Sequence, residues 1–232
     1  MIHWMNSGEP FPPVTAALAE PNGLLAAGGD LAVPRLLDAY RHGIFPWFNP
    51  GQPVLWWSPD PRMVLLPHEL KVTRSLGKVL RNGEYAVRAD TSFRAVMQAC
   101  AGPRRQQDGT WISDTMVAAY CALHERGIAH SVETWIGGEL AGGLYGVALG
   151  RMFYGESMFT RVANASKIAL VHLVRQLGRW QFGMLDCQMH TAHLAALGAR
   201  EIPRADFVRN LGELVNYPAV PGRWDLDRDL AE

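Results

Sequence analysis

The 232 residues are 48% hydrophobic, enough to bury one large core, and no apolar run approaches the ~18 residues that a membrane span requires. Lys+Arg and Asp+Glu number 22 each, so net charge calls for no polyanionic partner and any nucleic-acid contact must come from a local patch. The N-terminus lacks the basic-then-apolar order of a signal peptide, and the scattered Cys100, Cys121 and Cys187 suit reduced thiols, which makes the cytoplasm the expected compartment.

Residues 1–62 are dense in proline, and their aromatics gather in Gly43-Ile44-Phe45-Pro46-Trp47-Phe48-Asn49-Pro50 and Trp56-Trp57-Ser58-Pro59-Asp60-Pro61-Arg62. Long regular elements cannot run through so many prolines. The stretch reads as a small N-terminal lobe with one short helix over Pro34–His42, stopped by Gly43, and a boundary near residue 62 with a domain over 63–232. From there the pattern predicts a strand over Met63–Leu66, a helix over Glu69–Arg81, and a helix capped by Thr91 or Ser92 with Phe93, Val96, Met97 and Cys100 on one face. Ser113 caps the next, which shows Met116, Val117 and Tyr120 and stops at Gly127. Ile128–Ile136, Glu139–Val147 and Arg151–Phe159 read as three strands of an antiparallel meander, turned at Gly137-Gly138 and Ala148-Leu149-Gly150. Asn164 is expected to cap a helix bearing Leu170, Val171, Val174 and Leu177 and ending at Gly178. A strand over Met184–His190 and helices over Ala192–Leu197 and Ala205–Val215 complete an α+β fold.

The strand Met184–His190 carries the most informative pattern. Period two puts Leu185, Cys187 and Met189 on one side and Asp186 and Gln188 on the other. An adjacent carboxylate and amide are costly to bury without partners, so something polar is expected to meet them. The same parity turns Cys187 toward the core. Cys187, His190 and His193 have spacings open to a metal or to a thiolate nucleophile, but a fourth ligand is not evident, and a core cysteine with surface histidines is the favoured reading. Lys71, Arg74, Lys78 and Arg81 stack on one face of the predicted helix. Alone, such a ridge reads as a solvated face; its functional reading is phosphate contact. Trp47, Trp56 and Trp57 read first as the core of the lobe and, more sharply, as the wall of an apolar pocket. Glu156 shares a strand face with Tyr154 and Met158, where a surface carboxylate is the plain account, and Trp111 precedes a helix cap, where loops contribute to sites.

Gly23-Leu24-Leu25-Ala26-Ala27-Gly28-Gly29-Asp30-Leu31, the two aromatic segments, Gly109-Thr110-Trp111-Ile112, Gly155-Glu156-Ser157-Met158-Phe159, Asn164-Ala165-Ser166-Lys167 and Asp186-Cys187-Gln188 together resemble the leucyl/phenylalanyl-tRNA–protein transferases, in family order from about residue 20 to residue 204. The resemblance implies a small lobe packed on a mixed-sheet domain like that of the acyl-CoA N-acyltransferases (GNAT-like). It implies a cytoplasmic bacterial enzyme, expected as a monomer, with no metal and no cofactor. Such enzymes move Leu or Phe, and less readily Met, from aminoacyl-tRNA to the α-amine of proteins beginning with Arg or Lys, marking them for degradation. By this resemblance Trp47, Trp111 and Leu144 are pocket walls; the acceptor's cationic side chain needs a carboxylate partner, for which Glu156 is the candidate, and the ridge of Lys71, Arg74, Lys78 and Arg81 is the candidate contact for tRNA phosphates.

The reaction implied is aminolysis of an activated ester, in which holding amine against carbonyl supplies much of the rate. Asp186 and Gln188 are the catalytic candidates. Asp186 is placed to accept or relay the amine proton, and Gln188 to orient the amine or Asp186 or to donate to the oxyanion. The other proton route is the ribose hydroxyl of the tRNA terminus, and both stay open. Two rival functions are an acyl-CoA-dependent N-acyltransferase and a non-enzymatic RNA-binding module. The Gln/Arg-x-x-Gly-x-Gly/Ala phosphate cradle is missing before Asn164, which argues against the first. A buried-looking Asp/Gln strand has no use in the second.

Overall fold

A computed structural model describes residues 2–102 and 110–231, whose strands form two sheets. The first lies in the proline-rich stretch and uses pieces short enough to fit between prolines: β1 (His3–Met5), β2 (Leu24–Gly28), β3 (Phe45–Pro46) and β4 (Leu55–Trp57), in the order β1-β2-β4-β3. Sequence pattern found only its helix, α1 (Val33–Arg41), with Pro34 in the first turn.

The second sheet follows at once with β5 (Arg62–Leu65) and adds β6 (Ala86–Ala89), β7 (Ala129–Ile136), β8 (Glu139–Leu149), β9 (Met152–Thr160), β10 (Met184–Gln188) and β11 (Arg200–Ile202). Its order is β11-β5-β10-β9-β8-β7-β6. The predicted meander is β7, β8 and β9, turned at Gly137 and Gly138, whose φ of 59° and 83° suit residues without a Cβ. The helices between strands are α2 (Arg74–Asn82), α3 (Phe93–Cys100), α4 (Asp114–His124) and α5 (Ala165–Arg179). After α5 the chain enters β10, which runs parallel to β9 and antiparallel to β5, so the sheet is mixed and the fold is α+β. Two short helices follow the strand, α6 (Ala192–Ala195) and, beyond β11, α7 (Arg204–Leu214), with α8 (Arg228–Ala231) at the end. Among the described residues no helix is long and apolar enough to cross a membrane.

Alternate residues of the central strands face different layers. Val64, Tyr154 and Met184 join a core shared with α3, α4 and Tyr40 and Ile44 of the lobe, while Leu65, Phe153, Leu185 and Cys187 join one built on α5. Parity therefore sends Cys187 into the core as expected, and sends Asp186 toward the lobe.

Several expectations need correcting. The helix expected over Glu69–Arg81 starts only at Arg74, because the Thr73 side chain caps Leu76 N (3.3 Å) and Lys71 N donates instead to Leu197 O (2.8 Å). Lys71 is thus off the ridge, which keeps Arg74, Lys78 and Arg81, all exposed. Asn164 begins α5 through a left-handed backbone (φ 68°) with no side-chain cap bond, and α5 continues through Gly178 to Arg179. Neither Thr91 nor Ser92 caps α3 with its side chain; both backbone N–H groups donate to the Glu133 carboxylate. The strand expected over Met184–His190 stops at Gln188, and Met189 is 47% exposed rather than in the apolar layer.

Candidate active site

Two β-bulges lie side by side in the central sheet. On β9, Tyr145 of β8 faces Ser157 and Gly146 faces Gly155, so Glu156 is the extra residue. On β10, Asp186 faces Val64 and Gln188 faces Met63, so Cys187 is extra. A bulge shifts the alternation by one and re-aims the side chains around it. That is why Met158 packs on the α5 side although Tyr154 packs on the other, against the shared face expected for the two. Gln188 closes its strand at φ 63°, a backbone region that a non-glycine residue seldom occupies and that clusters at functional sites. Pairing between β9 and β10 ends at Tyr154 with Asp186, while β9 runs on to Thr160. The sheet parts there, and a cavity of about 500 Å³ opens at the gap.

Trp47, Trp111, Leu144, Glu156, Asp186 and Gln188 all line this one cavity, although they come from five separate parts of the chain. Trp47 is supplied by the lobe, just after β3, where its ring lies 5.5 Å from that of Trp57 and its carbonyl accepts from Trp57 Nε1 (2.6 Å). Trp111 sits before the Ser113 cap of α4; Gly109 of its motif lies outside the described residues. Leu144 is a buried β8 residue opposite Met158. The volume falls in the range of small-molecule sites, and apolar walls facing a few convergent polar groups are their usual composition. Arg74, Lys78, Arg81 and Lys71 do not line the cavity.

The polar floor differs from a pair of side chains waiting for a ligand. Asp186 is 0% exposed. Arg62, equally buried, donates from Nε to Oδ1 (2.8 Å) and from Nη2 to Oδ2 (2.6 Å), a bidentate ion pair. The guanidinium lies between the Phe45 and Phe207 rings, 4.8 and 4.5 Å from their centroids, and also donates to Gly43 O (3.1 Å). Asp186 Oδ1 accepts one further bond, from the backbone N of Gln188 (2.8 Å). Its carboxylate therefore pins the left-handed Gln188 instead of standing open on a site face.

Gln188 in turn donates from Nε2 to Glu156 Oε1 (3.1 Å). The same oxygen accepts from Tyr40 (2.8 Å), and the Tyr120 hydroxyl lies 3.1 Å from Oε2. Tyr40 and Tyr120 also hydrogen-bond to each other through their hydroxyls. Glu156 is thus a buried, hydrogen-bonded group, and the plain expectation of a surface carboxylate fails because the bulge turns it inward. Burial pushes its carboxyl up to about 7, against the lowering effect of the two tyrosine hydroxyls. Burial likewise holds the Cys187 thiol far above the range in which a thiolate nucleophile forms. Among the described residues no group of three or more His, Cys, Asp or Glu is placed to hold a metal ion.

Arg62, Tyr40 and Tyr120 are site residues that sequence reading missed in this role. In the sequence Arg62 reads only as the end of the Trp56–Arg62 segment, ahead of the strand, Tyr120 only as part of an apolar helix face, and Tyr40 only as a position in the short helix over 34–42.

The profile of the family "Leucyl/phenylalanyl-tRNA protein transferase" matches residues 64–212, and that of the family's N-terminal domain matches residues 29–60. A leucyl/phenylalanyl-tRNA–protein transferase of Nitrosospira multiformis is 65% identical over 232 residues, covering all of both chains. One of Nitrosomonas europaea is 63% identical, covering 98% of this chain and 96% of its own. Among solved structures, a GCN5-related N-acetyltransferase from Kribbella flavida overlaps with TM-score 0.38 at 13% identity, over 71% of this chain and 59% of that one.

Proposed function

The chain belongs to the leucyl/phenylalanyl-tRNA–protein transferase family, and from that premise we propose that it moves Leu or Phe, and less readily Met, from aminoacyl-tRNA to the α-amine of proteins beginning with Arg or Lys. It is an aminoacyltransferase that uses aminoacyl-tRNA and a protein. Its setting in our reading is the bacterial cytoplasm, where as a monomer it marks proteins for degradation, with residues 1–62 forming a lobe on a catalytic domain over 63–232.

The observation that carries this reading is the meeting of Trp47, Trp111 and Leu144 with Gln188 in one cavity. The apolar walls take the donor side chain. A pocket of this kind discriminates a single methylene by only about 1–3 kcal/mol, which suits a donor set of several apolar residues. With Nε2 of Gln188 turned to Glu156, its Oε1 is left for the cavity, where it accepts from the attacking amine and holds it against the ester carbonyl. A free α-amine, with pKa about 7.7–8.0, is already partly neutral in the cytoplasm, so the attack needs orientation more than deprotonation. Asp186 is a positioning residue in this scheme. Its oxygens are committed to Arg62 and to the Gln188 backbone, so the amine proton passes through the free ribose hydroxyl of the tRNA terminus to the ester oxygen, which departs as a hydroxyl when its bond to the carbonyl carbon breaks.

The test is incubation with radiolabelled Leu-tRNA and a peptide beginning with Arg, where label must enter the peptide. Binding of coenzyme A in a thermal-shift assay, with no such transfer, would instead support an N-acyltransferase.

Two further expectations follow from the geometry. Arg74 and Lys78 lie one turn apart on the exposed face of α2, away from the cavity, so they serve the tRNA body and not the donor amino acid. Reversing both to Glu should weaken use of Leu-tRNA in a salt-dependent way and spare short aminoacyl-adenosine donors; equal loss with both donors would contradict it. Cys187→Ser puts a hydroxyl against the apolar α5 layer and should cost about 1–3 kcal/mol of stability in urea denaturation. Activity per folded molecule should persist, and an inactive but fully stable variant would point to a thiol intermediate.

A further inference from the structure

The oxygens of Glu156, Tyr40 and Tyr120 make a closed triangle of contacts: Tyr40 with Glu156 Oε1 at 2.8 Å, Tyr120 with Glu156 Oε2 at 3.1 Å, and the two hydroxyls with each other. Each contact needs one proton between its oxygens. If Glu156 were ionised, both hydroxyl protons would be drawn to its two oxygens, and the contact between the tyrosines would be left without one. Tyrosine ionisation would only deepen the deficit, and burial keeps both phenols protonated by holding them well above their ordinary range. With a proton on Oε2 the count closes: Glu156 donates to Tyr120, Tyr120 to Tyr40, and Tyr40 back to Oε1. Each tyrosine hydroxyl then gives one bond and receives one, and the carboxyl gives through Oε2 and receives through Oε1.

We propose that Glu156 works as a neutral carboxylic acid in this proton ring, and that the ring is the device that fixes the amide of Gln188. The neutral acid leaves Oε1 as a carbonyl-type acceptor shared by Tyr40 and Gln188, which settles which end of the Gln188 amide faces the ring. The charges that face Glu156 are those of Asp186 and Arg62, which neutralise each other in their ion pair. Tyr40 stands on α1 of the lobe, Tyr120 on α4, Glu156 on β9 and Gln188 on β10, so the ring ties the lobe to the site across four elements. Glu156 is a positioning residue; it acts through Gln188. The inference rests on the proposed transfer reaction only for the purpose of Gln188, not for the protonation state.

Three readouts test it. Infrared difference spectra of the wild-type protein at pH about 6, against Glu156→Gln, should show the C=O stretch of a protonated acid; an ionised carboxylate there overturns the proposal whether or not the chain transfers amino acids. The thermal midpoint supplies a second. A group whose folded pKa lies above its unfolded value contributes stability that is fully present below the unfolded pKa. For Glu156 that contribution is lost as pH rises from its ordinary 4.5 through about 7. Glu156→Gln should flatten this part of the profile, and an unchanged slope counts against the ring. The third readout is kcat. Glu156→Ala should lower it by about tenfold or more, through a Gln188 free to turn, and Glu156→Gln should restore most of it, because a neutral amide reproduces every bond of the ring. A folded Glu156→Gln as impaired as Glu156→Ala, or one impaired through a raised KM for the Arg peptide, would show that the negative charge is what matters and that Glu156 meets the acceptor's cation.

Discussion

Asp186→Ala is expected to remove about 3–5 kcal/mol of folding stability, because it leaves the Arg62 guanidinium buried without its counter-charge. Arg62 cannot turn out to water: it is 0% exposed and packed between Phe45 and Phe207. The Gln188 backbone N–H loses its acceptor in the same substitution. Urea denaturation with an unchanged m-value reads the loss. A control separates the charge from the pair. Replacing Arg62 by Met together with Asp186 by Leu removes both ions, and since burying a pair contributes little net stability, the double variant should recover much of what the single one loses. It should nevertheless stay slow in transfer, because the anchor of Gln188 is gone. An Asp186→Ala protein within about 1 kcal/mol of wild type would mean that the ion pair does not carry the floor of the site.

Sequence periodicity had assigned Asp186 and Gln188 to one face, and the sheet does turn Asp186 away from the α5 core. What covers that face was not legible. Arg62 lies 124 positions away, and nothing local to either strand says that they meet. The tyrosines were hidden for a related reason: Tyr120 continues the apolar stripe of Met116 and Val117, and only its hydroxyl, invisible to a hydrophobic pattern, reaches the site. The bulges at Glu156 and Cys187 are properties of pairing between strands, so a period-two reading ran straight through both and misplaced Met158 and Met189. Lys71 failed by a competing bond, since Thr73 starts the helix and Leu197 takes the lysine's backbone N–H. In contrast, the meander and its Gly137-Gly138 turn rest on chemistry carried within a few residues, and these were legible. The cavity walls were reached through family motifs, since no local pattern brings Trp47, Trp111 and Leu144 together.

The second large effect concerns Gln188 itself. Gln188→Ala should keep the fold, because the side chain is only partly buried, Asp186 still receives the residue-188 backbone N–H, and Glu156 keeps both tyrosines. It removes an oriented acceptor that the floor presents to the cavity. Misplacing a reacting group by about 1 Å costs on the order of a hundredfold in rate, and a loss of that size is expected in kcat, with little change in binding of the aminoacyl donor. The direct measurement is single-turnover transfer of radiolabelled Leu from Leu-tRNA to a peptide beginning with Arg, by wild-type and Gln188→Ala proteins at equal folded concentration. The expected result is labelled peptide from the wild type and a rate lower by about a hundredfold for the variant; no labelled peptide from the wild type, or equal rates from both, would contradict the account.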